Sequence, residues 1–139
     1  MLLLAALALL SLPPAGLRFE VRLDPAVKPQ WSSGRMLLVL GPTDSKDPRR
    51  SIGETGMDNA PILGCDVAQL EAGTTVVLDE HSVLAPIANL AALPAGDYNV
   101  QAVFRCNPDL RLVVAPGNLF SEPQKVHLDP ASATTVTSS

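Results

Sequence analysis

The sequence predicts an all-β fold, a two-sheet Greek-key β-sandwich of about seven strands, on three observations. Apolar and polar residues alternate in several short segments, which is the period of a half-buried strand. Thirteen prolines in 139 residues favour short strands and turns, because proline lacks the backbone donor that a helix needs. Apolar residues make up 47% of the chain, enough for a core, and no long segment has the helical period.

Residues 1–16 are predicted to be a signal peptide. Leu2 to Leu12 is an apolar run interrupted only by Ser11, and the small residues Ala15 and Gly16 are plausible cleavage positions. The run is too short to span a bilayer, and it has no amphipathic period. No Lys or Arg precedes the run, so either the true start lies upstream of Met1 or the signal is a weak one. The alternative is a buried strand or helix of the fold. The prediction is an exported protein, periplasmic or secreted, without a membrane span.

The first half of the mature chain contains four predicted strands. Their ranges are Phe19–Leu23, Arg35–Leu40, Pro61–Val67 and Thr74–Asp79. The second is apolar throughout, which indicates burial on both faces. Thr43 to Gly56 is polar and rich in turn formers, and predicts a long surface loop. Ser82 to Ala92 is either a short helical turn or an extended crossover, with Pro86 against a regular helix.

The second half contains the longest alternating segment. After the turn Pro94–Asp97, one face carries Tyr98, Val100, Ala102, Phe104 and Cys106, and the other carries Asn99, Gln101, Val103 and Arg105. Arg111 to Ala115 continues as a strand or a bulged loop, and Gln124–Leu128 is the last clear strand. The domain is therefore assigned to residues 17–130. Residues 131–139 are a linker or the truncated start of a following strand.

The segment around Tyr98 has the form of a tyrosine corner, with Leu93, Gly96 and Tyr98 as its structural residues. In such a corner the hydroxyl bonds back to the upstream backbone while the ring packs on the core. An ordinary hairpin turn is the alternative. The corner makes the predicted sandwich immunoglobulin-like.

Cys65 and Cys106 have two interpretations. In an oxidising compartment the pair can close a disulfide, and otherwise the two are buried thiols that act as small apolar residues. Trp31 likewise is either a lid on the core or an exposed platform for sugar.

The chain offers no recognisable catalytic, cofactor or metal motif. It has no Gly-x-Ser-x-Gly segment, and His81 and His127 lack zinc-type spacing to the cysteines. Asp44, Asp47, Asp58 and Asn59 are solvated loop residues or irregularly spaced calcium ligands. A net charge of −4, with Arg49-Arg50 as the one adjacent basic pair, argues against nucleic acid as a partner.

Several pieces together resemble the N-terminal β-sandwich domain that precedes the catalytic domain in bacterial esterases of the α/β-hydrolase fold. They are Phe19-Glu20-Val21, Gly34-Arg35 leading into Leu37 to Leu40, Leu93 to Val103, Asn107-Pro108-Asp109, Ala115 to Asn118, and Val126 to Pro130. The resemblance covers roughly residues 17–130. It implies a following esterase domain that holds the Ser-His-acid triad, so no catalytic residue transfers to this chain. Cys65 and Cys106 stand where the family tends to have apolar core residues.

Two functions follow as expectations. The first is a non-catalytic accessory domain of an exported esterase, which packs on the catalytic α/β-hydrolase domain of the same parent chain and shapes access to it. The second is an independent extracytoplasmic module that binds carbohydrate or protein. The second predicts clustered exposed aromatic rings, and the chain has one Trp, one Tyr and three Phe. An enzyme in its own right is disfavoured by the missing nucleophile and base.

Overall fold

The computed structural model describes residues 16–54, 59–131 and 134–138, with strand backbones alone for Thr134, Thr135 and Ser138. The predicted signal peptide lies outside the described residues, except for Gly16. Within them the fold is all-β, with two facing sheets of three and six strands, which confirms the predicted class. The strands are β1 (Leu17–Arg22), β2 (Gly34–Gly41), β3 (Ile62–Val67), β4 (Thr75–Leu78), β5 (Val83–Ala85), β6 (Gly96–Arg105), β7 (Leu119–Phe120), β8 (Gln124–Leu128) and β9 (Thr134–Ser138).

The smaller sheet has the order β4-β1-β9. Strand β1 pairs antiparallel with β4, where Phe19 lies opposite Leu78, and parallel with β9, where Phe19 lies opposite Val136. The segment 131–139 therefore contains a strand of the sandwich and does not act as a linker over its whole length. The sandwich extends past the predicted boundary at residue 130.

The larger sheet has the order β5-β3-β2-β6, and both β7 and β8 pair with β6. The chain passes from β1 to the larger sheet for β2 and β3, returns for β4, and crosses again to β5 and β6. Strand β2 is central, and it is buried on both faces from Met36 to Gly41, as its apolar run predicted.

The core lies between the two sheets. Strand β1 contributes Leu17, Phe19 and Val21; β2 contributes Met36, Leu38 and Leu40; and β6 contributes Val100, Ala102 and Phe104, followed by Cys106. The alternation along β6 thus places the predicted residues on the inner face, with Tyr98 half-buried at the edge of the core. Period-two patterning was sufficient to orient this strand.

The outer face of β6 is also buried, because the segment after β2 folds back over it. Asn99 donates from Nδ2 to the Ser45 carbonyl oxygen at 2.6 Å. Gln101 accepts from the Arg49 backbone N–H at 2.8 Å and donates to the Ser121 carbonyl at 2.9 Å. The predicted surface loop is therefore wrong in part: the 3₁₀ turn Pro48–Ser51 covers the sheet, and buried amides that need partners hold it there.

The two ambiguous segments each take a defined form. Ser82 to Ala92 combines the edge strand β5 with a 3₁₀ turn at Leu90–Ala92, where Asn89 caps by accepting from the Ala92 N–H. Arg111 to Ala115 is a loop and does not continue β6. Among the described residues, no helix has the length and apolar character needed to cross a membrane.

Candidate docking surface at the end of the larger sheet

Tyr98 makes the contact expected of a tyrosine corner. Its hydroxyl donates to the Pro94 carbonyl oxygen at 2.6 Å, four residues upstream, and its ring packs against the core. Gly96 is the first residue of β6 and lies opposite Leu128, while Leu93 is buried in the core. Partial burial raises the pKa of the Tyr98 phenol. The corner fixes the start of β6.

Cys65 and Cys106 are both free thiols, so the structure corrects the disulfide alternative. Strand β2 separates them, and two interstrand spacings put their Cα atoms about 10 Å or more apart. A disulfide requires Cα atoms within about 7 Å. Burial raises the pKa of each thiol, and Cys106 Sγ donates to the Gly117 carbonyl at 3.1 Å. The two residues act as small core groups.

Trp31 packs against the core, in the position of the predicted lid. Its ring lies directly over Gly117, whose φ is +89°. A Cβ at residue 117 would overlap Trp31 Cζ3 and lie 2.9 Å from Cε3. Glycine is required there both by the left-handed backbone and by the approach of the ring.

Residues 107–118 form a braced loop between β6 and β7, which we call the apolar loop. Its neck is closed by two asparagines: Asn118 Oδ1 accepts from the backbone N–H groups of Cys106 and Asn107, at 2.9 and 3.0 Å. Asn107 Nδ2 donates to the Pro116 carbonyl at 2.8 Å. Asn118 Nδ2 donates to the Leu112 carbonyl at 2.9 Å. These bonds hold both ends of the loop in one conformation.

The tip of the apolar loop presents three large apolar side chains to solvent. Leu110, Leu112 and Val114 are 46, 62 and 68% exposed. The asparagine bonds at the neck of the loop hold the backbone that carries these side chains. Clustered exposed apolar residues of this kind mark interaction surfaces. The sequence did not identify this cluster, because its alternating pattern is the same as that of a strand.

An open cleft of about 610 Å³ lies beside the apolar loop, and we call it the arginine cleft. Its lining includes Arg35 from β2, Arg105 from β6, Arg111 from the apolar loop and Asp66 from β3. Arg35 Nη1 donates to Asp66 Oδ1 at 2.8 Å. The cleft and the apolar loop share Arg111 and form one continuous end of the molecule.

A second group of arginines, Arg49 and Arg50, is paired with Asp47 of the same chain. The Arg49 guanidinium lies 3.6 Å above the centre of the Phe120 ring, and its Nε donates to Asp47 Oδ1 at 3.0 Å. Arg50 Nε donates to the other Asp47 oxygen at 2.9 Å. Burial opposes ionisation of Asp47, but these two arginines lower its pKa below the ordinary value of 3.8. The cluster fastens the 3₁₀ turn to the sheet.

The remaining candidate residues are not assembled into a site. His127 Nδ1 lies 2.8 Å from Asp97 Oδ1 on the surface, and His81 lies 3.6 Å from Glu80. Asp47 is bound to arginines, and Asp58 lies outside the described residues. Within the described ranges, no cluster of three His, Cys, Asp or Glu side chains could hold a metal ion.

A smaller cleft of about 370 Å³ opens between the sheets beside β7. Core side chains such as Val21, Met36 and Phe104 line it, together with Arg22 and Glu122. The base of this cleft is formed by side chains of the hydrophobic core.

No family model, curated protein or solved structure matches this chain.

Proposed function

We propose that this chain is a non-catalytic, immunoglobulin-like accessory domain of an exported esterase, and that it docks on a separate α/β-hydrolase domain of the same parent protein through the apolar loop. The single observation that carries the proposal is the exposure of Leu110, Leu112 and Val114 on a loop braced by asparagine bonds. The esterase identity of the partner rests on the sequence resemblance.

The strand order supports the immunoglobulin-like part of the proposal. Strands β1 and β4 pair in one sheet, while β2, β3, β6 and β8 pair in the other, so the chain changes sheet after β1, after β3 and after β4. This is the pairing logic of a Greek-key sandwich. The Tyr98 hydroxyl bonds back to the Pro94 carbonyl at the start of β6, which is the contact that defines a tyrosine corner.

The energetics suit docking within one chain. Complete burial of a Leu or Val side chain contributes about 1.5–3 kcal/mol, so covering three partly exposed ones contributes a few kcal/mol. That is little for association of two free proteins, which must also offset lost translational and rotational freedom. A covalent connection reduces this cost by raising the effective concentration of the partner. The small apolar surface therefore favours a tethered partner.

The arrangement of nucleophiles favours a non-catalytic role. Burial raises the pKa of both cysteine thiols, which disfavours the reactive thiolate. His81 and His127 are exposed and bound to surface carboxylates, so neither contacts a thiol as its base. We therefore propose that any ester hydrolysis takes place in the partner domain.

The positions of the aromatic rings disfavour an independent carbohydrate-binding module. Phe19 and Phe104 are buried, and Trp31 and Tyr98 pack on the core. Phe120 is exposed, but the Arg49 guanidinium covers one face of its ring. A sugar platform needs clustered free ring faces, and this surface does not supply them.

The test is a matched pair of variants in the full-length protein, expressed from its own gene. Leu112→Asp places a charge at the centre of the apolar loop, whereas Val83→Asp alters an equally exposed side chain on the edge strand β5. We expect Leu112→Asp to uncouple this domain from its neighbour, so that calorimetry resolves two unfolding transitions. Val83→Asp should leave unfolding as in the wild type. Equal behaviour of the two variants, or a gene that encodes no hydrolase domain, would refute the proposal.

A further inference from the structure

We propose that the arginine cleft binds a carboxylate of the docked partner, with Arg105 and Arg111 as the groups that recognise it. The inference rests on the proposed function for the source of the carboxylate, since the surface of an unmodified protein carries no other common oxyanion. The arginine positions that define the site are all in this chain.

Two arginines of like charge lie side by side in the cleft, and only one of them has an acidic partner among the described residues. Arg35 and Arg105 lie directly opposite each other on the antiparallel strands β2 and β6, and therefore on the same face of the sheet. Like charges in this position destabilise a sheet. Asp66, opposite Arg35 on the other side, compensates one of the two. The other positive charge remains, and an anion in the cleft would compensate it.

Arg105 and Arg111 differ from the other arginines of the chain in having no acidic partner among the described residues. Among the described residues, no carboxylate lies within 4.0 Å of the basic groups of Arg105 or Arg111, whereas Arg18, Arg22, Arg35, Arg49 and Arg50 all have such partners. In a chain of net charge −4, two uncompensated arginines in one cleft form a local positive site. Guanidinium groups are suited to a carboxylate because their parallel N–H donors match its two oxygens.

The arginine cleft also lies next to the exposed side chains of the apolar loop. Arg111 lies between the exposed side chains of Leu110 and Leu112, so any surface that covers those leucines also lies beside the cleft. Apolar contacts bordered by charged pairs are the usual anatomy of a protein interface. The arginines would then set the orientation of the partner while the leucines supply most of the apolar contact.

The experiment is a titration of this chain followed by NMR of the arginine Nε–Hε groups, with glutarate as the probe. Sodium chloride at matched ionic strength is one comparison, and inorganic phosphate is a second. We expect glutarate to shift the Arg105 and Arg111 signals saturably while Arg18 on β1 stays within the chloride response. In Arg111→Gln, the shift at Arg105 should fall by about fivefold or more, because two forks no longer converge on one anion. Arg111→Lys should retain an intermediate response, and Arg18→Gln should match the wild type.

Three results would overturn the inference. They are a glutarate response no larger than that of chloride, an equal response at Arg18, and a stronger saturable response to phosphate than to glutarate. The titration needs no partner domain, so its outcome is independent of the Leu112→Asp test. Failure here with uncoupling by Leu112→Asp would leave an apolar docking surface without carboxylate recognition. Success here without uncoupling would remove the proposed partner and leave the anion site.

Discussion

Tyr98 shows how one side chain can connect a turn to the core. Its ring packs on the core while its hydroxyl closes on the Pro94 carbonyl, so the turn cannot open without breaking both contacts. The sequence was sufficient to predict this residue, because both partners lie within four positions of each other. Asn118 was not predicted, since its value depends on bonds to Cys106 and Leu112 that appear only once the loop has closed.

Replacing Tyr98 with Phe keeps the ring and removes the hydroxyl. We expect the free energy of unfolding to fall by about 0.5–1.5 kcal/mol, the usual net worth of one hydrogen bond. Urea denaturation followed by circular dichroism measures the change. An unchanged midpoint with an unchanged slope would show that the corner bond contributes nothing to stability.

Asp47 predicts a pH dependence of stability. Its pKa is lower in the folded state than the ordinary 3.8, so its contribution is fully present above that value and is lost as pH falls through the folded pKa. Asp47→Asn should therefore lower stability at neutral pH and flatten the decline of stability below about pH 4. Asp109→Asn is the control, because no cation pairs with Asp109 among the described residues. Parallel acid profiles for wild type and Asp47→Asn would contradict this account.

The strands show which elements a single sequence can specify. Strands β1, β2, β3, β4, β6 and β8 were predicted because period-two alternation or an apolar run is written in their own residues. The short strands β5 and β7 were not, since their pairing depends on neighbours distant in the chain, and a strand at β9 was one of two alternatives for residues 131–139. The segment after β2 was assigned to solvent because its polar residues conceal their role as partners of Asn99 and Gln101.

The apolar loop depends on the fit between Gly117 and Trp31. Gly117→Ala adds a methyl group that overlaps the indole and disfavours the positive φ. We expect destabilisation of about 1–3 kcal/mol, measured by urea denaturation, with faster amide exchange confined to the apolar loop. Gly53→Ala is the matched control, because Gly53 also has a positive φ of +93° but no atom within 4 Å of the added group. Equal losses in both variants would assign the effect to backbone conformation alone.

At the scale of the whole molecule, the two ends of the larger sheet carry different surfaces. Loop 42–51 covers the outer face around Asn99 and Gln101, and the opposite end carries the apolar loop and the arginine cleft. The sequence predicted the sandwich, but it did not identify the apolar loop as the candidate docking surface. Exposure of Leu110 and Leu112 is a tertiary property that a one-dimensional pattern does not encode.

Purified residues 17–139 should not hydrolyse a generic aryl ester. The physical reason is that Cys106 is buried and Cys65 partly buried, which raises the pKa of both thiols, and that both histidines are exposed beside surface carboxylates. Release of p-nitrophenol from its acetate, compared with a buffer blank, measures this. Saturable turnover above the blank would assign catalysis to this domain, and its loss after alkylation would assign that catalysis to a thiol.

We expect the apolar loop to be covered in the functioning protein. Hydroxyl-radical footprinting of Leu110, Leu112 and Val114 tests it most directly, when the full-length protein is compared with residues 17–139 alone. We expect strong protection of all three side chains in the full-length protein and an unchanged modification rate at Val83, which is 63% exposed on β5. Equal modification of the three side chains in both proteins would contradict it.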